Sequence, residues 1–338
     1  MHMIDAFSND QMTGQRLMVG FDGTEFNADL KFLIGDLKVG GIILFARNIE
    51  TPDQLIRLCA DMQDYAGACG QPPLFISIDQ EGGTVARLRE PHFREFPGIP
   101  TLTTPSDAKD FAREMAGQLS ALGINMNMAP VLDVAPKDMQ SIMARRSFGH
   151  DPIHVAAMGK AMIESFQNQG IMAVAKHFPG IGRTVLDSHM DMPEFDATLD
   201  DLAAFDLIPF HAAQTVDVAG MMLSHIFYKQ IDSVWPASLS KAIASGLLRR
   251  RMGFDGIVMT DDLDMGAIVN HFDIRSIIGQ ILAAEIDIAL ICHKGPNIQI
   301  AFEEIQKRTV DDAGLAQKNR ESVARIIKLK AKYGLAEA

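Results

Sequence analysis

The sequence predicts an α/β protein folded as a single (β/α)8 TIM-type barrel. Three observations carry this. Eight short, nearly continuous apolar runs recur along the 338 residues. Amphipathic stretches of helical length lie between them. No Pro/Ser-rich linker, charge block or low-complexity segment interrupts the alternation, so residues 1–338 read as one domain.

The runs are RLMVGF (16–21), GGIILF (40–45), LFISID (74–79) and INMNMAPVL (124–132), then IMAVAKHF (171–178), AGMMLSH (219–225), GIVMTD (256–261) and IDIALIC (286–292). Runs apolar at nearly every position suit parallel strands covered on both faces. Between them, residues 51–68 open with Thr51-Pro52, an N-cap followed by a proline at the first helical position. Residues 151–170 and 238–253 end in Gly170 and Gly253, where a left-handed C-terminal residue belongs. Eight strand–helix alternations predict barrel closure. A doubly wound open sheet would place a Gly-rich phosphate loop after the first strand, and Phe21-Asp22-Gly23-Thr24 does not supply one.

Composition narrows the partners. Net charge is −12, from 31 basic and 43 acidic residues. Nucleic acid and anionic lipid both demand a basic surface, so neither is an expected partner. No apolar stretch approaches the roughly 20 residues of a membrane span. The N-terminal residues lack a basic segment followed by an apolar run, so no signal peptide is expected. Three cysteines, Cys59, Cys69 and Cys292, form no CxxC pair and read as free thiols in a reducing compartment. The expected location is the cytoplasm, and the expected state is a monomer.

A barrel enzyme carries its chemistry on the loops after the strand C-termini. Polar residues gather there: Asp79-Gln80-Glu81 at the end of run three, Lys176-His177 at the end of run five, Ser224-His225 at the end of run six and Asp261-Asp262 at the end of run seven. Successive strand residues face opposite sides, so one carboxylate of the 261–262 pair can reach the barrel mouth while the other turns to a loop or helix start. Capping of the next helix explains either aspartate equally well, and Asp264 adds capping capacity. Asp187-Ser188-His189 has the spacing for a carboxylate to set an imidazole tautomer; a solvated loop histidine beside a chance aspartate is the plainer alternative. Lys176 and His177 suit donation to substrate hydroxyls, or the satisfaction of buried polar groups. His177, Asp187, His189, His225 and Asp261 would suffice for a metal centre, but no HxH or HExxH spacing supports one.

Five blocks resemble glycoside hydrolase family 3, in particular its bacterial β-N-acetylglucosaminidases. They are IDQEGG (78–83), INMNMAPVLDV (124–134), RSFGHDP (146–152), KHFPGIGRTVLDSHMDMP (176–193) and FDGIVMTDDLDMGAI (254–268), with GGIILFARN (40–48) and WPASLS (235–240) in support. The resemblance implies Asp261 as nucleophile, His189 as acid/base and Asp187 as its dyad partner. It implies Asp79, Arg87, Arg146, Lys176 and His177 as ligands of the terminal sugar. It implies no metal or organic cofactor. The substrate implied is a small saccharide or muropeptide, GlcNAc linked to 1,6-anhydro-N-acetylmuramic acid with or without peptide. Arg87, Arg146 or Arg183 is then the expected partner for its carboxylates. The sequence departs from the family pattern at Thr84, at Ile181 and at Met143-Ala144-Arg145. A β-N-acetylglucosaminide phosphorylase and a non-catalytic sugar-binding paralogue are the alternative functions.

Overall fold

The computed structural model describes residues 3–184 and 192–336. Eight parallel strands form the barrel: β1 Leu17–Val19, β2 Gly41–Leu44, β3 Phe75–Ile78, β4 Met126–Asn127, β5 Met172–Phe178, β6 Gly220–Leu223, β7 Ile257–Thr260 and β8 Ala289–Ile291. Each falls inside one of the eight apolar runs. Neighbours pair in sequence order, and β8 returns to pair with β1. Closure between β7 and β8 rests on the Met259–Ile288 bridge, with Asp287 N donating to Val258 O at 2.8 Å and Thr260 N to Ile288 O at 3.1 Å. The sheet therefore has no open edge.

Helices cross over between successive strands, among them Pro52–Ala68, Pro105–Ala121, Pro152–Asn168, Leu207–Gln214, Ala242–Arg251 and Ile274–Ala283. Pro296–Asp311 and Ala313–Lys332 follow β8. Thr51 caps its helix as expected, accepting from Gln54 N at 3.2 Å. Gly170 and Gly253 take φ of +79° and +76°, which only glycine adopts without cost. An additional two-residue pairing, Glu194–Phe195 with Phe227–Tyr228, joins the segments after β5 and β6. Its residues show no run long enough to announce a strand.

Two hydrophobic clusters reveal which way each strand residue points. Met18, Ile43, Phe75, Met172, Val174 and Met259 belong to the barrel interior. Their neighbours Leu17, Ile42, Ile76, Ala173, Ala175 and Val258 belong to the larger cluster under the helices. The period of two runs on past the strand ends. Phe75-x-Ser77-x-Asp79, Met172-x-Val174-x-Lys176 and Ile257-x-Met259-x-Asp261 each carry a charged residue in the inward phase, one step above the apolar floor. Phe45 follows Ile43 in the same way.

Among the described residues, no helix is long and apolar enough to cross a membrane.

Candidate active site

The inward phase brings its charged residues into one cavity of about 250 Å³, lined among others by Phe45, Asp79, Glu81, Arg87, Arg146, Lys176, His177, Met222, Asp261 and Asp262. It opens at the C-terminal mouth of the barrel, where β2, β3, β5, β6 and β7 end. All five residues expected to bind sugar line it, together with Asp261. Asp187 and His189 lie outside the described residues.

One wall is a chain of ion pairs. Lys176 Nζ sits 2.8 Å from Asp79 Oδ1 and 2.7 Å from Glu81 Oε1. Arg87 Nη2 reaches Asp79 Oδ2 at 3.1 Å. Arg146 holds Glu81 in bidentate fashion, Nε to Oε2 at 2.9 Å and Nη2 to Oε1 at 2.7 Å. Lys176 and Glu81 are each only 2% exposed, so neither charge would be tolerated alone. Withdrawal from water opposes ionisation of Asp79 and Glu81, but Lys176 next to them, with Arg87 and Arg146, outweighs it and holds both below the ordinary carboxylate range. The same carboxylates hold Lys176 protonated against its burial. Glu81 stands out as the residue that organises this wall, although the sequence reading left it without a role.

The second wall is set by His177. Strand β5 loses regular register between Ala175 and Phe178, and the Lys176–His177 peptide is cis. Both side chains line the cavity. Asp133, fully buried, collects three donors: His177 Nδ1 at 2.7 Å, His177 N at 3.3 Å and Ile181 N at 2.8 Å. Arg146 Nη2, a donor only, lies 3.5 Å from His177 Nε2. The tautomer that satisfies both contacts carries its proton on Nδ1. Asp133 lies in the LDV end of the second block, where nothing local marks it as an imidazole's partner. Ile181, one of the departures from the family pattern, is 5% exposed and contributes through its main-chain N–H.

Asp261 closes the far side. Its main-chain N donates to Leu223 O at 3.0 Å, and its Oδ1 accepts from Asp262 N at 2.8 Å. Burial raises its proton affinity. The His177 and His225 imidazoles, the Asp262 N–H and Lys176 outweigh that effect and hold the carboxyl below its ordinary range. Asp261 is therefore ionised at neutral pH and partly open to the cavity. Asp262 serves differently. Its Oδ1 accepts from Cys292 N and Asp264 N, both at 3.0 Å, which clips the end of β7 to the end of β8. Burial, with Asp264 nearby, pushes its carboxyl up to about 6.

Among the described residues, the candidate metal ligand His225 is already engaged. His225 bonds Ser238 Oγ at 2.7 Å and the Asp262 carbonyl at 2.8 Å, and it does not line the cavity. Asp262, Asp264 and His293 bring ligand-type atoms within 4.8 Å of one another. Both carboxylates there are occupied as acceptors, Asp264 from His293 N at 3.0 Å and Asn297 Nδ2 at 3.2 Å. The arginines expected to meet substrate carboxylates are likewise paired within the protein: Arg87 with Asp79, Arg146 with Glu81 and Arg183 with Asp206. Three cations (Arg87, Arg146, Lys176) thus meet four carboxylates (Asp79, Glu81, Asp261, Asp262) in the cavity wall. Polar groups so largely paired with one another suit a neutral, hydroxyl-rich ligand.

An ionised aspartate at the end of the seventh strand, facing a small cavity walled by fixed donors and acceptors, is equipped to attack an acetal carbon. The class it defines is a glycoside hydrolase. The chain belongs to glycosyl hydrolase family 3, whose N-terminal domain it matches over residues 8–329. It is 36% identical over 309 residues to a beta-hexosaminidase of Thiobacillus denitrificans, covering 89% of this chain and 83% of that protein. A beta-hexosaminidase of Pseudomonas aeruginosa is 33% identical, with 90% of each chain covered. Among solved structures, a family 3 beta-N-acetylglucosaminidase from Paenibacillus superposes with a TM-score of 0.94 at 34% identity. That match covers 98% of this chain and 64% of the Paenibacillus chain, so this chain spans somewhat under two thirds of that relative.

Proposed function

We propose that this family 3 β-N-acetylhexosaminidase is a retaining exo-enzyme that removes terminal β-linked GlcNAc from peptidoglycan fragments such as GlcNAc-1,6-anhydro-N-acetylmuramic acid, with or without peptide. The names of its relatives support the hexosaminidase chemistry. The observation that carries the mechanism is Asp261: an aspartate kept ionised, in the inward phase of β7, at the wall of a cavity of about 250 Å³. That volume lies below the roughly 300–1,000 Å³ usual for drug-sized ligands. It fits one sugar ring, and so removal of a terminal unit.

Asp261 attacks the anomeric carbon through an oxocarbenium-like transition state, and a glycosyl-enzyme forms. His189, oriented by Asp187, protonates the departing oxygen and then takes a proton from the water that releases GlcNAc. Two inversions at the anomeric carbon leave the product β. Asp79, Arg87, Lys176, Arg146 and His177 take the sugar hydroxyls. Their mutual ion pairs hold them in place before substrate arrives, so little reorganisation remains for the transition state.

The test uses a chromogenic β-GlcNAc glycoside and its glucose analogue, in buffers with and without phosphate, with the product anomer followed by NMR. Release of β-GlcNAc, selective for the N-acetyl sugar and indifferent to phosphate, is the expected result. First-formed α-GlcNAc would exclude the retaining mechanism. GlcNAc-1-phosphate would make the same site a phosphorylase, and binding without turnover would make the chain a sugar-binding paralogue.

A further inference from the structure

The residue after a strand aims its side chain correctly only if the main chain beyond it is held. Past Asp261, that hold comes from several sides. Leu263 N donates to Leu290 O at 2.9 Å, and the Asp262 carboxylate is clipped to Cys292 N and Asp264 N. The Asp262 carbonyl lies 2.8 Å from His225 Nε2. Residue 262 is thereby fixed with its own N–H on Asp261 Oδ1, 2.8 Å away.

The histidine contact has a defined polarity. A carbonyl only accepts, so His225 Nε2 carries the hydrogen. Nδ1 is then an acceptor, and Ser238 Oγ, 2.7 Å away, donates to it. His225 is 1% exposed and Ser238 fully buried. Ser238 is itself placed by its main-chain N, which donates to Ser224 O at 2.9 Å. The loop after β6 therefore presents one oriented imidazole to the main chain just after the nucleophile. Its ring is turned to Ser238 and the Asp262 carbonyl, and it is not among the residues that line the cavity.

We propose that His225, set in one tautomer by Ser238, is a positioning residue for the nucleophile. It holds the main chain of Asp262 so that the Asp262 N–H engages one oxygen of Asp261 and directs the other to the anomeric carbon. This rests on the reading of Asp261 as nucleophile. A histidine that merely satisfied buried polar atoms would contribute to stability and leave the chemical step of the folded enzyme untouched.

The experiment compares the full chain with His225→Leu, His225→Gln, Ser238→Ala and Asp261→Ala. The substrate is a dinitrophenyl β-GlcNAc glycoside, whose leaving group needs no proton, and GlcNAc affinity is measured separately by calorimetry. His225→Leu is expected to lower the rate of glycosyl-enzyme formation about 10²-fold, the scale of a small misplacement of a reacting group, with GlcNAc affinity within about twofold of the parent. Gln retains an N–H donor, so His225→Gln is expected to recover at least tenfold of that loss. Wild-type turnover in His225→Leu overturns the proposal. So does loss of GlcNAc binding in parallel with rate, or a Gln variant as slow as the Leu variant. If His225→Leu does not fold, Ser238→Ala carries the test: a slower chemical step at unchanged affinity supports the proposal, and an unchanged step overturns it. Turnover in Asp261→Ala would instead remove the nucleophile reading itself.

Discussion

Lys176 Nζ lies between two carboxylates, 2.8 Å from Asp79 and 2.7 Å from Glu81, and it is the cation that makes both tolerable at the barrel mouth. Replacing it with Met leaves a 2%-exposed glutamate paired with Arg146 alone and an aspartate paired with Arg87 alone. Breaking a buried pair from one side costs about 3–5 kcal/mol. Urea unfolding at pH 7 of Lys176→Met is expected to show a loss of that order, with GlcNAc binding abolished. The loss should shrink at low pH, because Asp79 and Glu81 have depressed pKa values. The stability they contribute is present above their unfolded pKa values and disappears as pH falls through the folded ones. A variant as stable as the parent would contradict this reading of the wall.

Asp133 is an acceptor from three directions, two of them from His177. Asn at 133 would turn an amide hydrogen toward at least one donor, leaving a buried N–H unsatisfied at a cost of about 1–3 kcal/mol. Asp133→Asn is expected to bind GlcNAc more weakly, since the tautomer of His177 is no longer imposed. Titration calorimetry and thermal melts check the two effects, and unchanged values in both would refute the assignment.

The acid role of His189 separates by leaving group. His189→Ala should lose rate on a disaccharide or alkyl glycoside by orders of magnitude more than on a dinitrophenyl glycoside, within the 10²–10⁴-fold usual for general acid catalysis. Equal losses on both substrates would count against it.

Lys330 tests the energetics of the opposite end of the barrel. It is fully buried, bonded to Gln15 Oε1 at 2.7 Å and Gly40 O at 3.0 Å, and burial pushes its pKa down to about 7. The unfolded chain takes up its proton more readily. The penalty is complete below about pH 7 and fades as pH rises toward the unfolded value of 10.5. Lys330→Met should therefore gain stability relative to the parent at pH 6, by an amount on the order of a few kcal/mol, and lose that advantage toward pH 10. A pH-independent difference in unfolding free energy would show that the lysine is not desolvated as described.

Much of this architecture is legible before any coordinates. Strand identity follows from local apolar runs, but the inward phase of Asp79, Lys176 and Asp261 does not: the runs are apolar on both faces, and only the two packed clusters distinguish inside from outside. The cap at Thr51 and the left-handed glycines at 170 and 253 are equally local. Glu81 and Asp133 are legible only as members of motifs. Glu81 acts through Arg146 and Lys176, 65 and 95 positions away, and Asp133 through His177, 44 positions away. No local rule tells which carboxylate will meet which cation when the strands close. The pairing of the three arginines is hidden for the same reason: an arginine's sequence neighbours do not reveal that Asp79, Glu81 or Asp206 will sit beside it.

The most direct test of the central claim is to trap the covalent intermediate. A fluorinated GlcNAc glycoside with a good leaving group slows breakdown of the glycosyl-enzyme, and peptide mass spectrometry locates the label. One sugar bound through Asp261, and none on the Asp261→Ala protein, is the predicted result. A label on Asp262 or elsewhere, or full turnover of ordinary substrate by Asp261→Ala, would contradict the account.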